Sequence, residues 1–265
     1  MHKITIRTLK KMKQDGERFA CLTAYDASFA RSQEAAGVEV ILVGDSLGMV
    51  VKGQESTLSV SMEEMIYHTH NVSRVCHQSL IMTDLPFAAD ASQEEAYLNS
   101  ARLIAEGGAH MVKIEGGAML LDTIRFLSER GIAVCSHLGL LPQSVYKMGG
   151  YRVQGRNREE AEQILSDAIA LEQAGADIIL LECVPSELAA QITGSVDIPV
   201  IGIGAGPECD AQVLVCYDML GLHHGNPPSF VKNFLAETHS IQQAFKNYVH
   251  QVKTGEFPTP DHVFD

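Results

Sequence analysis

The chain has 265 residues, 46% of them hydrophobic, and a formal net charge of −13. That is enough apolar material for one large core or two small ones. The acidic balance excludes a nucleic-acid-binding role, which needs a basic face. No apolar run approaches the roughly 18 residues that a membrane span requires.

The first stretch, MHKITIRTLKKMKQDGERF, is too charged to hold the apolar core of a secretory signal. Six cysteines, at positions 21, 76, 135, 183, 209 and 216, form no C-x-x-C pair. Cys21, Cys135, Cys183 and Cys216 lie inside apolar runs, where a free thiol behaves as a small hydrophobe. The expectation is a cytoplasmic protein with no disulfide framework.

In chain order, FACLTAYD (19–26) and VEVILVGD (38–45) are continuously apolar rather than alternating, as strands buried on both faces are. SMEEMIYHTHNVSRV (61–75) reads as a helix opened by a capping box, Ser61 with Glu64. LIMTDLPF (80–87) is a third strand. SQEEAYLNSARLIAEGG (92–108) is a helix with a second box, Ser92 with Glu95, closing on glycines. HMVKIEGG (110–117) is a strand, MLLDTIRFLSERGI (119–132) a helix, and IAVCSHLG (132–139) a strand. A long glycine-bearing loop, KMGGYRVQGRNREE (147–160), carries Arg152, Arg156 and Arg158 and suits a mobile lid or an anion-binding loop. REEAEQILSDAIALEQAGAD (158–177) is a helix, DIILLECV (177–184) a strand and SELAAQITG (186–194) a short helix. IPVIGIGAG (198–206) and AQVLVCYD (211–218) are the last strands. IGIGAGPECD (201–210) could offer backbone N–H groups to a phosphate, although Pro207 removes one donor and no clear helix start follows. SFVKNFLAETHSIQQAFKNYVHQV (229–252) looks helical, packed on the barrel or on a neighbouring subunit.

Eight apolar strands alternating with helices read as a (β/α)₈ barrel of the TIM type. An open doubly wound sheet is the alternative, weakened because no G-x-G-x-x-G opens its first unit. The expected organisation is one barrel domain over 1–265, with 222–265 as a C-terminal helical extension.

In such a barrel chemistry collects at the C-terminal ends of the strands. Asp45 and Ser46 end the second strand and Asp84 the third. Lys113 and Glu115 flank Ile114 on the fourth, so both face the same way. His137 ends the fifth strand and Glu182 the sixth. Each has a plain alternative. Asp45 and Asp84 could serve the following turns, Lys113 and Glu115 could neutralise each other, and His137 could be a satisfied core histidine. Glu182 is harder to set aside, because a lone carboxylate on LLEC would be costly to bury or would titrate higher.

Asp45, Asp84 and Glu115 together form a hard, oxygen-only donor set, which suits Mg²⁺ with room for water and substrate. Such a site supports reactions that pass through an enolate. Lys113 would add positive charge for a substrate carboxylate or oxyanion, and Glu182 would be the acid or base.

The motifs GDSLGMVVKG, TDLPF, MVKIEGG, HLGLLPQSV, GGYRVQGR, LLECVP and PVIGIGAG resemble, in order and over nearly the whole chain, the ketopantoate hydroxymethyltransferase family. The resemblance implies a (β/α)₈ barrel related to the phosphoenolpyruvate mutase and isocitrate lyase enzymes. It implies transfer of a hydroxymethyl group from 5,10-methylenetetrahydrofolate to 3-methyl-2-oxobutanoate, giving 2-dehydropantoate in pantothenate and coenzyme A biosynthesis. It further implies Asp45, Asp84 and Glu115 as Mg²⁺-site acids and Asp45, Ser46, Asp84, Lys113 and His137 at the oxo acid. Glu182 is the implied proton acceptor, and a decamer the implied assembly. Two rivals use the same residues. A related C–C lyase or mutase would act on an oxo acid without folate, although the K-K-C-G-H-type cysteine loop of such lyases is absent. A non-catalytic metabolite-binding barrel is the other.

Overall fold

The computed structural model describes residues 3–223 and 225–265. Eight strands form a closed barrel in sequence order. They are β1 (Phe19–Thr23), β2 (Val40–Val43), β3 (Leu80–Asp84), β4 (Met111–Glu115), β5 (Val134–Gly139), β6 (Ile178–Glu182), β7 (Val200–Ile203) and β8 (Ala211–Leu214). All pairings are parallel, including β1 with β8. The strands are buried almost throughout, because helices cover them outside and the barrel core fills them inside.

The helix boundaries follow local chemistry. Ser61 caps Met62–Ser73 through Glu64 N–H while Glu64 reaches back to Ser61 N–H, so the predicted box is complete. Ser92 caps Gln93–Arg102, whose last turn widens over Leu103–Gly107 before Gly108 ends it in a left-handed conformation. Asn157 caps Arg158–Ala174, and Gly175 closes it.

Four features differ from the sequence expectation. Helices Ile6–Asp15 and Ala27–Ala36 were not anticipated; Thr5 and Asp26 cap them. No helix separates β7 from β8, so the seventh unit is a strand–turn–strand connection. The C-terminal helix spans only Ile241–Thr254. Upstream, Asn233 Oδ1 accepts the Ala236 N–H at 3.1 Å, a local turn that competes with helix. Ser240 then supplies the N-cap. This helix packs on its own barrel: Phe245, Tyr248 and Val252 are buried, and the Tyr248 hydroxyl lies 2.9 Å from Cys21 O and 2.8 Å from Gln212 O.

Candidate active site

All seven singled-out side chains line one cavity of about 500 Å³ at the C-terminal ends of the strands. Strand register brings most of them together. Asp84 lies opposite Lys113, Glu115 opposite His137, and Gly139 opposite Glu182. Since Lys113 and Glu115 are two apart on β4, their side chains share a face, and Lys113 Nζ lies 3.7 Å from Glu115 Oε1. It also lies 3.2 Å from Asp84 Oδ1 and 3.1 Å from His137 Nδ1. The pairing reading for Lys113 is therefore correct as far as it goes, but the ammonium serves two acids.

Asp45 does not cap the next turn. Its Oδ2 accepts the Gln143 amide at 2.8 Å, while its backbone N–H donates to Asp84 Oδ2 at 3.0 Å. Ser46 Oγ is 2.8 Å from the Tyr25 hydroxyl. Glu182 is not a lone carboxylate: Oε2 lies 3.2 Å from His137 Nε2. Gly139 permits this approach, since at φ 91° a Cβ there would collide with the Glu182 carbonyl.

The charges are set by one another. Burial works to deprotonate Lys113, but Asp84, Glu115 and Asp45 outweigh it and hold the ammonium charged. Burial pushes the Asp45 carboxyl well above its ordinary range, and Asp84 and Glu115 add to the push. Asp84 is raised by burial too, with Lys113 opposing. Burial would also raise Glu115, but His137, Lys113 and the Gln143 N–H bring it below the usual carboxylate value. For His137, burial and Lys113 disfavour a second proton while Glu115 and Glu182 favour it, with a net upward push. An ammonium at 3.1 Å can only donate to Nδ1, however. That leaves a neutral ring's proton on Nε2, which lies 3.2 Å from Glu182 Oε2 but outside hydrogen-bond geometry.

Two buried oxygens of this cluster, Asp84 Oδ1 and Glu115 Oε1, accept no hydrogen bond. Among the described residues, no three His, Cys, Asp or Glu side chains form a ligand group by themselves. The expected set of Asp45, Asp84 and Glu115 is thus not drawn into a closed cage; the Lys113 ammonium stands between Asp84 and Glu115.

Sequence reasoning passed over Gln143 and Tyr25. Gln143 ties three strand ends together: its amide donates to Asp45 and to Leu85 O, and its backbone N–H to Glu115 Oε2. A neutral residue inside HLGLLPQSV gives no charge signal, and only the fold brings it to the acids. Of the glycine-bearing loop, Tyr151, Arg152 and Val153 reach the cavity, whereas Arg158 pairs with Glu162 on the surface. The IGIGAG turn is not a phosphate cradle: the Phe230 and Phe264 rings cover Gly204.

Residues 3–260 match the family model for ketopantoate hydroxymethyltransferase. The chain belongs to that family. Among ketopantoate hydroxymethyltransferase relatives, the 3-methyl-2-oxobutanoate hydroxymethyltransferase of Nitrosospira multiformis is 55% identical over 263 residues, covering 99% of this chain and all of the relative. The enzyme of the same name from Nitrosococcus oceani is 57% identical over 258 residues, covering 97% of this chain and 98% of the relative. In fold, the chain is similar to phosphonopyruvate hydrolase solved with oxalate and Mg²⁺, at a TM-score of 0.62, 14% identity and 81% coverage of each chain. It is also similar to 2,3-dimethylmalate lyase, a PEP mutase/isocitrate lyase superfamily member, at a TM-score of 0.58 and 17% identity, covering 81% of this chain and 79% of the other. No helix among the described residues is long and apolar enough to cross a membrane.

Proposed function

We propose that this hydroxymethyltransferase takes the one-carbon unit of 5,10-methylenetetrahydrofolate and joins it to C3 of 3-methyl-2-oxobutanoate. With one water consumed, the products are 2-dehydropantoate and tetrahydrofolate. The observation that carries the reading is the buried acid–lysine cluster of β2 to β4, facing Glu182 across His137 in one cavity.

The cluster fits a hard divalent cation. Its acids outnumber its ammonium, two of its buried oxygens lack hydrogen bonds, and its donors are oxygen. Asp45, Asp84 and Glu115 would hold Mg²⁺. When bound, Mg²⁺ would supply positive charge beside the 2-oxo oxygen, where negative charge develops as C3 loses its proton.

The protein's own groups then divide the work. Ser46, oriented by Tyr25, and Lys113 would bind the oxo acid and offset its carboxylate charge. Glu182 would take the C3 proton, with the His137 ring beside it, Nε2 lying 3.2 Å from Glu182 Oε2. The C3 carbon, with its electron pair, would form the new bond to the methylene carbon as one folate C–N bond breaks, the nitrogen taking the proton that left C3. Water would then replace the second nitrogen, leaving its hydroxyl on the carbon and its other proton on that nitrogen, so that tetrahydrofolate departs. A homo-oligomer, a decamer by family resemblance, belongs to the same proposal; exposed Met119 and Tyr67 offer apolar surface for it.

The test supplies both substrates with and without Mg²⁺ and seeks ketopantoate by mass. Glu182→Gln should abolish exchange of the oxo acid's C3 proton with deuterium. Undiminished exchange would remove Glu182 as the base, and metal-indifferent turnover would remove the metal assignment. Sedimentation velocity addresses the assembly.

A further inference from the structure

The cavity extends well beyond the acid–lysine cluster, and its opposite wall has a different character. Around the barrel mouth, the cluster occupies the arc from β2 to β4, followed by His137 on β5 and Glu182 on β6. On the far side, β7 and β8 contribute Ile203 and Val213, and Val215 follows just beyond β8. Two segments distant in sequence complete it with Phe230 and Phe264. Their rings meet edge to face with centroids 6.3 Å apart.

This wall is built rather than incidental. Both rings close over Gly204, which has a φ of 58°; a Cβ there would lie 2.8 Å from Phe230 and 3.0 Å from Phe264. Only glycine lets the two rings come so near the strand end. The Phe264 carbonyl accepts the Ser186 N–H at 2.9 Å and the Ser186 hydroxyl at 3.2 Å. These two bonds fix the Phe264 backbone against the start of the helix Ser186–Ser195.

One carboxylate stands in this apolar arc. Asp218, on the short helix Cys216–Met219 after β8, is half-buried and lines the cavity. Among the described residues it makes no side-chain hydrogen bond; burial pushes its carboxyl upward, and His223 opposes the push. A poorly hydrated acceptor beside an aromatic wall suits a flat heterocycle with N–H donors along one edge. The ring face packs on the aromatic surface, and the carboxylate takes two parallel N–H groups. The pterin of a reduced folate has this form, with a ring N–H next to an exocyclic amino group.

Resting on the hydroxymethyl-transfer reading, we propose that the β7–β8 wall is the pterin subsite of the one-carbon carrier. Phe230 and Phe264 form its apolar surface, and Asp218 recognises the donor edge of the pyrimidine ring. The oxo acid on the β2–β4 side and the carrier on the β7–β8 side then approach each other across Glu182. This arrangement places the two reacting carbons over the middle of the barrel.

The experiment uses Asp218→Asn, Asp218→Ala and Phe264→Leu in the full chain, with folding checked by circular dichroism. Three quantities are read: KM for methylenetetrahydrofolate, Kd for tetrahydrofolate, and deuterium exchange at C3 of the oxo acid without folate. Both Asp218 variants should raise the folate KM and Kd by about 10- to 100-fold. Phe264→Leu should raise them by roughly threefold to tenfold, and exchange should persist in all three. Folate constants unchanged in both Asp218 variants would overturn the proposal, as would exchange lost in step with transfer in folded protein. Wild-type protein that binds tetrahydrofolate but neither exchanges nor transfers would sink the parent reading, and the variants' Kd values would still decide the subsite.

Discussion

Replacing Lys113 by Met removes the ammonium from the floor of the cavity while keeping a stem of similar volume. Lys113 is 4% exposed and lies 3.2 Å from Asp84 and 3.7 Å from Glu115. Removing one partner of a buried ion pair costs about 3–5 kcal/mol, because the remaining carboxylates lose their counter-charge without regaining water. At about 2–4 °C per kcal/mol for a chain of this size, Tm should fall by roughly 6–20 °C at pH 8 in EDTA. The pH dependence identifies the cause. Burial already holds Asp45 and Asp84 above their ordinary values; losing Lys113 lifts Asp84 further and removes one of the groups that hold Glu115 low. A carboxyl with a raised folded pKa keeps its proton in the native state where the unfolded chain has released it. Stability therefore rises as pH falls through the folded pKa towards the unfolded value near about 4. The gap between variant and wild type should narrow from pH 8 to pH 5.5, and Mg²⁺ should restore the variant more than the wild type. The chain has no Trp, so thermal melts are followed by circular dichroism. An equal deficit at every pH, unaffected by Mg²⁺, would show that the loss is one of packing and refute the electrostatic argument.

Three further outcomes follow from single contacts. Gln143→Ala deletes the amide that donates to Asp45 and to Leu85 O; Mg²⁺ affinity, measured by calorimetry, should weaken about 10- to 100-fold, as when a ligand loses its outer hydrogen bond. Gly139→Ala forces a side chain onto a φ of 91°, against the Glu182 carbonyl and 2.8 Å from Val184. It should lower stability by at least about 1–3 kcal/mol and depress C3 deuterium exchange even where the fold survives. Ser61→Ala breaks a capping box remote from the cavity; a loss of about 1 kcal/mol in thermal melts with unaltered turnover is expected.

The barrel was legible because its strands are continuously apolar and its helices announce themselves with Ser61–Glu64, Ser92–Glu95 and terminal glycines. The missed helices at Ile6–Asp15 and Ala27–Ala36 have capped starts too, at Thr5 and Asp26. In the second the apolar positions are few and the helical periodicity faint, whereas Ile6, Leu9 and Met12 keep helical spacing in the first, so that helix was readable in the sequence. The segment before Ile241 has helical spacing, but Asn233 and Ser240 spend their side chains on turns and caps instead. Helix propensity is a weak prior beside such contacts. Within the site, the acids, Lys113 and Glu182 were readable because charge at a strand end is unusual. Gln143 was not, because an uncharged side chain acquires its role only when β2, β3 and β4 end side by side.

The same reasoning explains why the acidic half of the cavity could be found in the sequence and the apolar half could not. β2, β3 and β4 carry their functional groups in the strand ends themselves, so position along each strand and the period of two are sufficient. The opposite wall draws on Phe230 and Phe264, which follow the last strand and return to the mouth over Gly204. Apolar residues in a C-terminal segment carry no sign of which surface they will meet. The seventh unit has no helix between β7 and β8. The extension supplies an aromatic wall to the β7 side of the cavity, over Gly204 at the end of β7. Removing residues 263–265 should then expose the Phe230 ring and weaken tetrahydrofolate binding, while C3 exchange on the β2–β6 side persists.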